Sequence, residues 1–271
     1  YIEIGYRSNT LSGYYGEFFY CPEYLMKKLK DKMPSKKLAI ILNEKDIRAD
    51  DVVSLINPCI KYISLVRIAV DPKNFDRATL LAKEIKNLGF EVAFNVMYMS
   101  EWKNYNSFLD KLKGMENIID YFYMVDSFGG IMNEELVDIL ELVKSKSNIP
   151  ICFHGHNNLE MALSNTVKSI DLGCEIVDST ITGMGRGAGN LKTELLISYL
   201  FKDSDKINYK KLSECVSVFE KLKTKYNWGT NLPYMISGVN SLPQKDVMQW
   251  IGMNRYNLNT IVNTLNNNNF S

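Results

Sequence analysis

Short runs of apolar and β-branched residues recur along the chain at regular intervals. Each run is almost continuously hydrophobic and is bounded by polar residues or glycine, which is typical of a strand buried on both faces of a parallel sheet. The pattern predicts seven strands, at residues 1–6, 37–42, 65–70, 91–99, 120–125, 150–155 and 175–182.

Stretches with helical spacing lie between these runs, at residues 22–33, 74–89, 133–146 and 158–173. The second stretch ends at Gly89, and the last opens at Asn158 and ends at Gly173, as helix start and stop signals predict. A strand followed by a helix, seven times over, indicates parallel pairing through right-handed crossovers.

This order predicts an α/β fold, a TIM (β/α)₈ barrel whose first strand is absent from the sequence. The chain starts at Tyr1, without Met and inside a strand-like run, so we expect it to be a fragment that lacks an N-terminal element. A doubly wound open sheet is the alternative. The barrel, with strands two to eight, is expected over residues 1–203, and a helical C-terminal extension over 204–271.

Composition narrows the class of protein. The 271 residues include 46% hydrophobic residues, and 32 basic against 31 acidic side chains leave a formal charge of +1. That balance gives no reason to expect a nucleic-acid or membrane partner, and no apolar run is long enough to span a bilayer. Five cysteines without a CxxC pair, and no visible signal peptide, predict reduced, buried thiols in a cytoplasmic protein.

Polar residues interrupt or follow several predicted strands. Glu3, Arg67 and Asn95 stand inside apolar runs, where a charge is costly unless it is paired. Glu3 and Arg67 either form a structural pair or belong to a site. Further polar residues gather at the carboxyl ends of strands, where chemistry collects in this fold, among them Asp126, Ser127 and residues 154–158 and 182–190.

The only two histidines of the chain, His154 and His156, stand two residues apart at the end of a predicted strand. Alternation places both on one face, so their imidazoles can converge on one cation such as Zn, Mn, Fe or Co. The alternative is a pair of hydrogen-bonded histidines at a polar strand end. A metal would need a further ligand, for which Asp126 and Asn190 are candidates and Asp178 a weaker one.

A glycine-rich stretch, TGMGRGAGN at residues 182–190, follows the last predicted strand and precedes a helix. Glycines let a backbone approach a ligand closely, and the following helix N-terminus can receive an anion. The stretch matches neither the P-loop nor the dinucleotide fingerprint. It is therefore interpreted as a ligand-contacting loop, with an ordinary loop as the alternative.

Together, HGHNN at 154–158, VDST at 177–180 and GMGRGAGN at 183–190 resemble the pyruvate carboxyltransferase-like, or DRE-TIM metallolyase, superfamily. The resemblance covers residues 1 to about 200, is strongest over 120–200 and is closest to the 4-hydroxy-2-oxovalerate aldolase branch. It implies a divalent metal (Mn²⁺, Mg²⁺, Zn²⁺ or Co²⁺) and carbon–carbon bond chemistry on a 2-oxo acid.

The resemblance also assigns roles to residues. It implies metal ligation by His154, His156 and Asn190, an orienting role for Glu3, and substrate contacts from Arg67, Asn95, Asp126, Ser127, Gly185 and Gly187. The first-strand motif of the superfamily, which supplies an Asp ligand and a catalytic Arg, has no counterpart in this sequence. The general base is not assigned.

Three functions compete at this point. The first is a metal-dependent aldolase or lyase that acts on a 2-oxo acid such as a 4-hydroxy-2-oxo acid, through a pyruvate-type enolate. The second is a Claisen-type synthase that condenses an acyl-CoA with a 2-oxo acid, as isopropylmalate synthase does, and the third is a non-catalytic barrel. A homo-oligomer and an aldehyde dehydrogenase partner are open alternatives for assembly.

Overall fold

The computed structural model of the protein describes residues 1–9 and 12–267. Its strands are β1 (Ile2–Tyr6), β2 (Leu38–Asn43), β3 (Leu65–Val70), β4 (Glu91–Val96), β5 (Tyr121–Asp126), β6 (Ile151–Gly155) and β7 (Ile176–Val177). They form a seven-stranded sheet in sequence order, and the pairings from β1 to β5 are parallel. This confirms the predicted α/β fold of the TIM type, because a doubly wound sheet reverses its strand order at a switch point.

Helices separate most of the strands and continue beyond the last one. They are α1 (Glu17–Tyr20), α2 (Glu23–Lys32), α3 (Val52–Ile56), α4 (Phe75–Asn87), α5 (Asn133–Lys146), α6 (Ala162–Asp171), α7 (Thr193–Leu200), α8 (Tyr209–Tyr226), α9 (Leu232–Val239), α10 (Gln244–Gly252) and α11 (Leu258–Asn266). The predicted helical C-terminal region is thus confirmed by α8 to α11. The boundary at residues 203 and 204 stays a prediction.

Three local expectations were wrong. The predicted strand at 175–182 is reduced to β7, because the chain turns into a 3₁₀ helix at Ile181–Gly183. Between β4 and β5 lie two 3₁₀ helices, Met99–Asn104 and Asn106–Leu112, in place of an α-helix. The helix expected to open at Asn158 begins at Ala162, because Asn158 is fully buried and its amide donates to the carbonyl of Tyr234.

Burial explains why the strands read as continuous apolar runs. In β3, every residue from Leu65 to Ile68 is buried, and all but the first residue of β4 are buried. Helix α4 turns a stripe with helical spacing, including Leu81 and Ile85, towards the interior. Buried β-branched and apolar side chains on both faces of a strand are what a covered parallel sheet requires.

The chain forms two compact units. The first comprises residues 1–97, 102–124 and 142–152, and the second comprises 98–101, 125–141 and 153–271. In the second unit, Ala188 of the glycine loop shares an apolar cluster with residues of the C-terminal helices, namely Tyr234, Val247, Ile261 and Leu265. The C-terminal helices therefore pack against the loop that carries the candidate chemistry.

The cysteines match the expectation in part. All five are free thiols; Cys21, Cys59 and Cys152 are buried, Cys174 is half-buried and Cys215 is exposed. Burial raises the pKa of the Cys59 thiol to about 11, so this group stays protonated at neutral pH. Among the described helices, none has both the length and the apolar character needed to cross a bilayer.

A close backbone contact within the second unit predicts a large effect on stability. A Cβ atom added at Gly130 would lie 2.4 Å from the carbonyl oxygen of Gly238 in α9. We expect Gly130→Ala to lower the free energy of unfolding by about 2 kcal/mol or more, because backbone atoms cannot yield as a flexible side chain can. Urea unfolding followed by circular dichroism measures the change.

Gly252, the last residue of α10, provides the matched control. A Cβ atom there would meet no atom within 4 Å. Gly252→Ala should leave the unfolding midpoint unchanged or raise it slightly, since alanine favours a helix over glycine. Equal stability of the two variants would contradict the packing argument.

Candidate active site

The two histidines lie side by side in the second unit. His154 is in β6 and His156 follows its last residue, and their ring centroids are 5.0 Å apart. The alternation of strand side chains explains this proximity, because residues two apart project from the same face. Nδ1 of each ring is hydrogen-bonded to an acceptor, and these acceptors determine which ring nitrogen carries the proton.

Two acceptors fix the orientation of the rings. Nδ1 of His154 lies 2.8 Å from the carboxylate of Asp178, and Nδ1 of His156 lies 2.8 Å from the backbone carbonyl of Asp126. A carbonyl can only accept, so Nδ1 of His156 carries the proton; the carboxylate favours the same tautomer in His154. In a neutral ring with this tautomer, Nε2 keeps a lone pair, which is the arrangement found in histidines that bind metals.

Burial keeps His156 neutral. It lowers the pKa of the imidazole to about 3, with a further contribution from the neighbouring His154. Because this value lies far below neutral pH, the ring does not need to lose a proton before it can bind a cation.

Asn190 is bridged to one of the two histidines through its backbone. It forms an isolated antiparallel bridge with His156, and its amide nitrogen donates to the carbonyl of Met184 at 3.0 Å. Its Oδ1 atom is buried and has no hydrogen-bond partner among the described residues. An amide oxygen buried without a partner is costly, and a cation at the histidines would satisfy it.

The predicted substrate-contacting glycines lie against other parts of the protein. A Cβ atom at Gly185 would be 2.7 Å from the amide nitrogen of Asn190, and one at Gly187 would be 2.2 Å from Oε1 of Gln244. Gly187 also adopts a positive φ of 55°. Both glycines therefore allow the loop to fold closely around Asn190 and Gln244, and their contact with substrate stays a prediction.

Asp126 and Ser127 organise the loop that follows β5. The carboxylate of Asp126 is buried and accepts from the backbone N–H groups of Gly130 and Ile131, both at 3.3 Å. Burial raises the pKa of this carboxyl to about 6, against the opposing effect of those hydrogen bonds. The hydroxyl of Ser127 accepts from the backbone N–H of Tyr98. Substrate contacts from Asp126 and Ser127 stay predictions.

The three polar residues predicted to interrupt strands meet in the first unit. The guanidinium of Arg67 donates to the carboxylate of Glu3 at 2.9 Å and to the amide oxygen of Asn95 at 3.0 Å. It also lies 4.2 Å from the ring centroid of Tyr123. The pairing of Glu3 with Arg67, one of the two alternatives that the sequence left open, is therefore present. The pair accounts for a charge buried in a strand, and a substrate role for Arg67 and Asn95 remains a prediction.

The donor set available for a metal is two imidazoles and one amide. In the described parts of the chain, no three His, Cys, Asp or Glu side chains are grouped to hold an ion. The two alternative ligands already have hydrogen-bond partners. The carboxylate of Asp126 accepts from the backbone of its own loop, and that of Asp178 is paired with His154. The buried, unpartnered Oδ1 of Asn190 is the feature that fits a cation.

Two contributors to the site were missed or undervalued in the sequence. Asp178 appeared as a weak ligand candidate, whereas the structure makes it the partner of His154. Nothing in the sequence marked Gln244 as part of the site. In the structure its amide nitrogen donates to Asn158 at 2.9 Å, and its amide oxygen accepts from the backbone N–H of Ala188 at 3.4 Å. The VDST motif pointed to Asp178, but nothing near Gln244 in sequence indicates its partners.

The fold and the site define a TIM-type α/β protein. Its histidine pair lies at the end of β6, and an asparagine that follows β7 is bridged to one of the two histidines. The HMGL-like family model matches residues 51–218, and the chain belongs to this family.

Comparison with individual proteins agrees. The chain is 34% identical to a 4-hydroxy-2-oxovalerate aldolase of Geobacillus thermodenitrificans over 139 residues, which is 51% of this chain and 40% of that protein. It is 29% identical to an oxaloacetate decarboxylase of Mycobacterium tuberculosis over 51% of this chain and 41% of the relative. The chain therefore spans about two fifths of the length of these curated relatives.

A solved structure matches the chain over more of its length. The N-terminal domain of a candidate aldolase from Bacteroides vulgatus has a TM-score of 0.89 and 48% sequence identity. The match covers 97% of this chain and 87% of the other. Fold and family are thus shared with that protein over almost the whole sequence.

Proposed function

We propose that the protein is a divalent-metal-dependent aldolase that cleaves or forms a carbon–carbon bond of a 2-oxo acid, such as a 4-hydroxy-2-oxo acid. The observation that carries the proposal is the donor set: two imidazoles, oriented through Nδ1, and the buried Oδ1 of Asn190, a residue that is bridged to His156 and whose Oδ1 has no hydrogen-bond partner among the described residues. Names of curated relatives, in particular the 4-hydroxy-2-oxovalerate aldolases, support this reaction class.

The residues of the chain have defined tasks in this proposal. His154, His156 and Asn190 would hold the cation, and Mn²⁺, Mg²⁺, Zn²⁺ or Co²⁺ are the candidates that suit nitrogen and oxygen donors. When bound, such a cation acts as a Lewis acid towards the oxygens of a 2-oxo acid. Asp178 and the carbonyl of Asp126 keep the protons on Nδ1, so that both Nε2 atoms stay available as donors.

Substrate specificity is proposed to involve the remaining predicted residues. Arg67 supplies a permanent positive charge whose orientation is fixed by Glu3, Asn95 and the ring of Tyr123. Its Nε and Nη1 atoms already donate to Asn95 and Glu3, so a substrate carboxylate would share the guanidinium with these two residues.

A second activity has one specific observation in its favour. One relative is named an oxaloacetate decarboxylase, and both aldol cleavage and decarboxylation of a suitable 2-oxo acid leave a pyruvate enolate. The two reactions differ in the leaving group, an aldehyde in one case and CO₂ in the other. The Claisen-type synthase differs from both, because it consumes an acyl-CoA.

One assay separates these functions. We expect purified protein to release pyruvate from 4-hydroxy-2-oxopentanoate. The pyruvate is detected by the NADH that lactate dehydrogenase consumes. Activity should fall to background after EDTA treatment and return with a divalent cation, which elemental analysis identifies. Faster release from oxaloacetate would favour the decarboxylase, and thiol release that depends on acetyl-CoA would favour the synthase. Full activity in EDTA-treated, metal-free protein would contradict metal dependence.

A further inference from the structure

A cavity lies in the second unit beside the glycine loop. This cavity, of about 320 Å³, is bordered by the loop, by residues that follow the histidines, and by the connection between α8 and α9. Its lining includes Glu160, Thr182, Asn190, Lys192, Lys223 and Trp228. The volume is at the lower end of the range, roughly 300–1,000 Å³, that small-molecule sites occupy.

The charged lining of this cleft is unbalanced. Lys192 and Lys223 contribute two ammonium groups, and Glu160 contributes the only carboxylate of the lining. Neither lysine has a side-chain hydrogen bond or an ion pair among the described residues, in contrast to Lys37 and Lys86, which pair with carboxylates. Ammonium groups that share a cavity without partners favour a negatively charged ligand.

The walls of the cleft are held in place by the protein itself. The indole of Trp228 donates to the carbonyl of Thr182 at 3.1 Å, and the backbone N–H of Gly229 donates to the carbonyl of Gly187 at 2.9 Å. Thr230 donates to the carbonyl of Asn158 at 2.8 Å. These bonds fasten the connection between α8 and α9 to the glycine loop, so the cleft is preformed.

Two wall residues adopt a backbone conformation that is costly for them. Glu160 has a φ of 60° and Thr182 a φ of 54°, and for a β-branched residue such as threonine this is a marked outlier. Thr182 is held there by Glu194, which accepts from its N–H, and by the indole of Trp228. Strained backbone persists where the surrounding structure enforces it, and it is concentrated at ligand sites.

We propose that this cleft binds a small molecule with at least two negative charges, carried by carboxylate or phosphate groups. Lys192 and Lys223, which both line the cleft, bind the anion, and Glu160 limits its affinity by repulsion. Because Asn190 lines the cleft and also bridges to His156, an anion here contacts the loop that carries the third candidate donor. The binding itself does not depend on the proposed aldolase reaction.

The test is a titration of the full chain with inorganic phosphate and, separately, with malonate, by isothermal calorimetry. The protein is first treated with EDTA and dialysed, so that no cation at the histidines can bind the probe. We expect Lys223→Met and Lys192→Met each to weaken binding at least about tenfold, as the loss of a charged hydrogen bond predicts. Glu160→Gln should tighten binding. The anion that binds more tightly identifies the ligand as a phosphate or a dicarboxylate.

Two controls make the result specific. Lys221 lies two residues from Lys223 on α8, is exposed and does not line the cleft, so Lys221→Met should leave the affinity unchanged. His154→Asn should also leave it unchanged, which separates this site from the proposed metal centre. Equal weakening by Lys221→Met and Lys223→Met, loss of binding in His154→Asn, or no binding of either anion at millimolar concentration would each overturn the proposal.

Discussion

His154→Asn should abolish metal binding and lower turnover by about 10³-fold or more, while the fold stays intact. An asparagine amide can replace Nδ1 as the donor to Asp178, but it has no counterpart of Nε2. Losing one donor of three removes several kcal/mol of the stabilisation that a bound cation gives, and each 1.36 kcal/mol corresponds to a factor of ten in rate.

The measurement combines elemental analysis, pyruvate release and thermal unfolding of the same preparation. His154→Gln is the matched variant, because its longer amide reaches towards the position of Nε2 and lacks the group at Nδ1. It should retain part of the metal affinity that His154→Asn loses. If His154→Asn keeps its metal and full activity, the two rings are only hydrogen-bonded residues at a strand end, and the proposed function is wrong.

Asp178→Ala should weaken metal binding by about 10- to 100-fold, the usual effect of removing the hydrogen-bond partner of a ligand histidine. The carboxylate of Asp178 lies 2.8 Å from Nδ1 of His154 and fixes the orientation and the tautomer of the ring. Without it, Nε2 of His154 carries the proton for part of the time and cannot donate its lone pair.

Asp178→Asn provides the control for this prediction. Its amide oxygen can still accept a hydrogen bond from Nδ1–H of His154, so the metal affinity should stay within a few-fold of the original value. Metal titration with a fluorescent competitor gives both affinities. A direct ligand role for Asp178 would make the two variants equally weak, and an unchanged affinity in Asp178→Ala would show that the ring needs no orienting partner.

The two predictions differ in what they reveal. His154→Asn tests whether a cation is bound at all, and the Asp178 pair tests how the protein prepares the ring for it. Both are independent of the anion cleft, whose lining includes neither His154 nor Asp178.

Several features of the fold were accessible from the sequence because they are local. The strands β2, β3 and β6 and the helix α5 lie within a residue or so of their predicted positions, since each pattern repeats with the period of its own backbone. The strand predicted over 175–182 is too long, because hydrophobic residues continue past Val177 while the chain already turns into the glycine loop. The prediction that a helix starts at Asn158 was wrong, because the hydrogen-bond partners of its side chain lie in α9 and α10, more than 70 residues away.

The sequence by itself determined the order of strands, the placement of His154 and His156 on one face, and the glycine-rich loop after the last strand. Tertiary structure alone decided other partners: Asp178 for His154, Gln244 for the loop, and the two lysines that share a cleft, whereas the pair of Glu3 and Arg67 was already one of two alternatives in the sequence. The physical reason is that backbone periodicity acts over a few residues, whereas hydrogen bonds and ion pairs are chosen among whichever distant segments packing brings together.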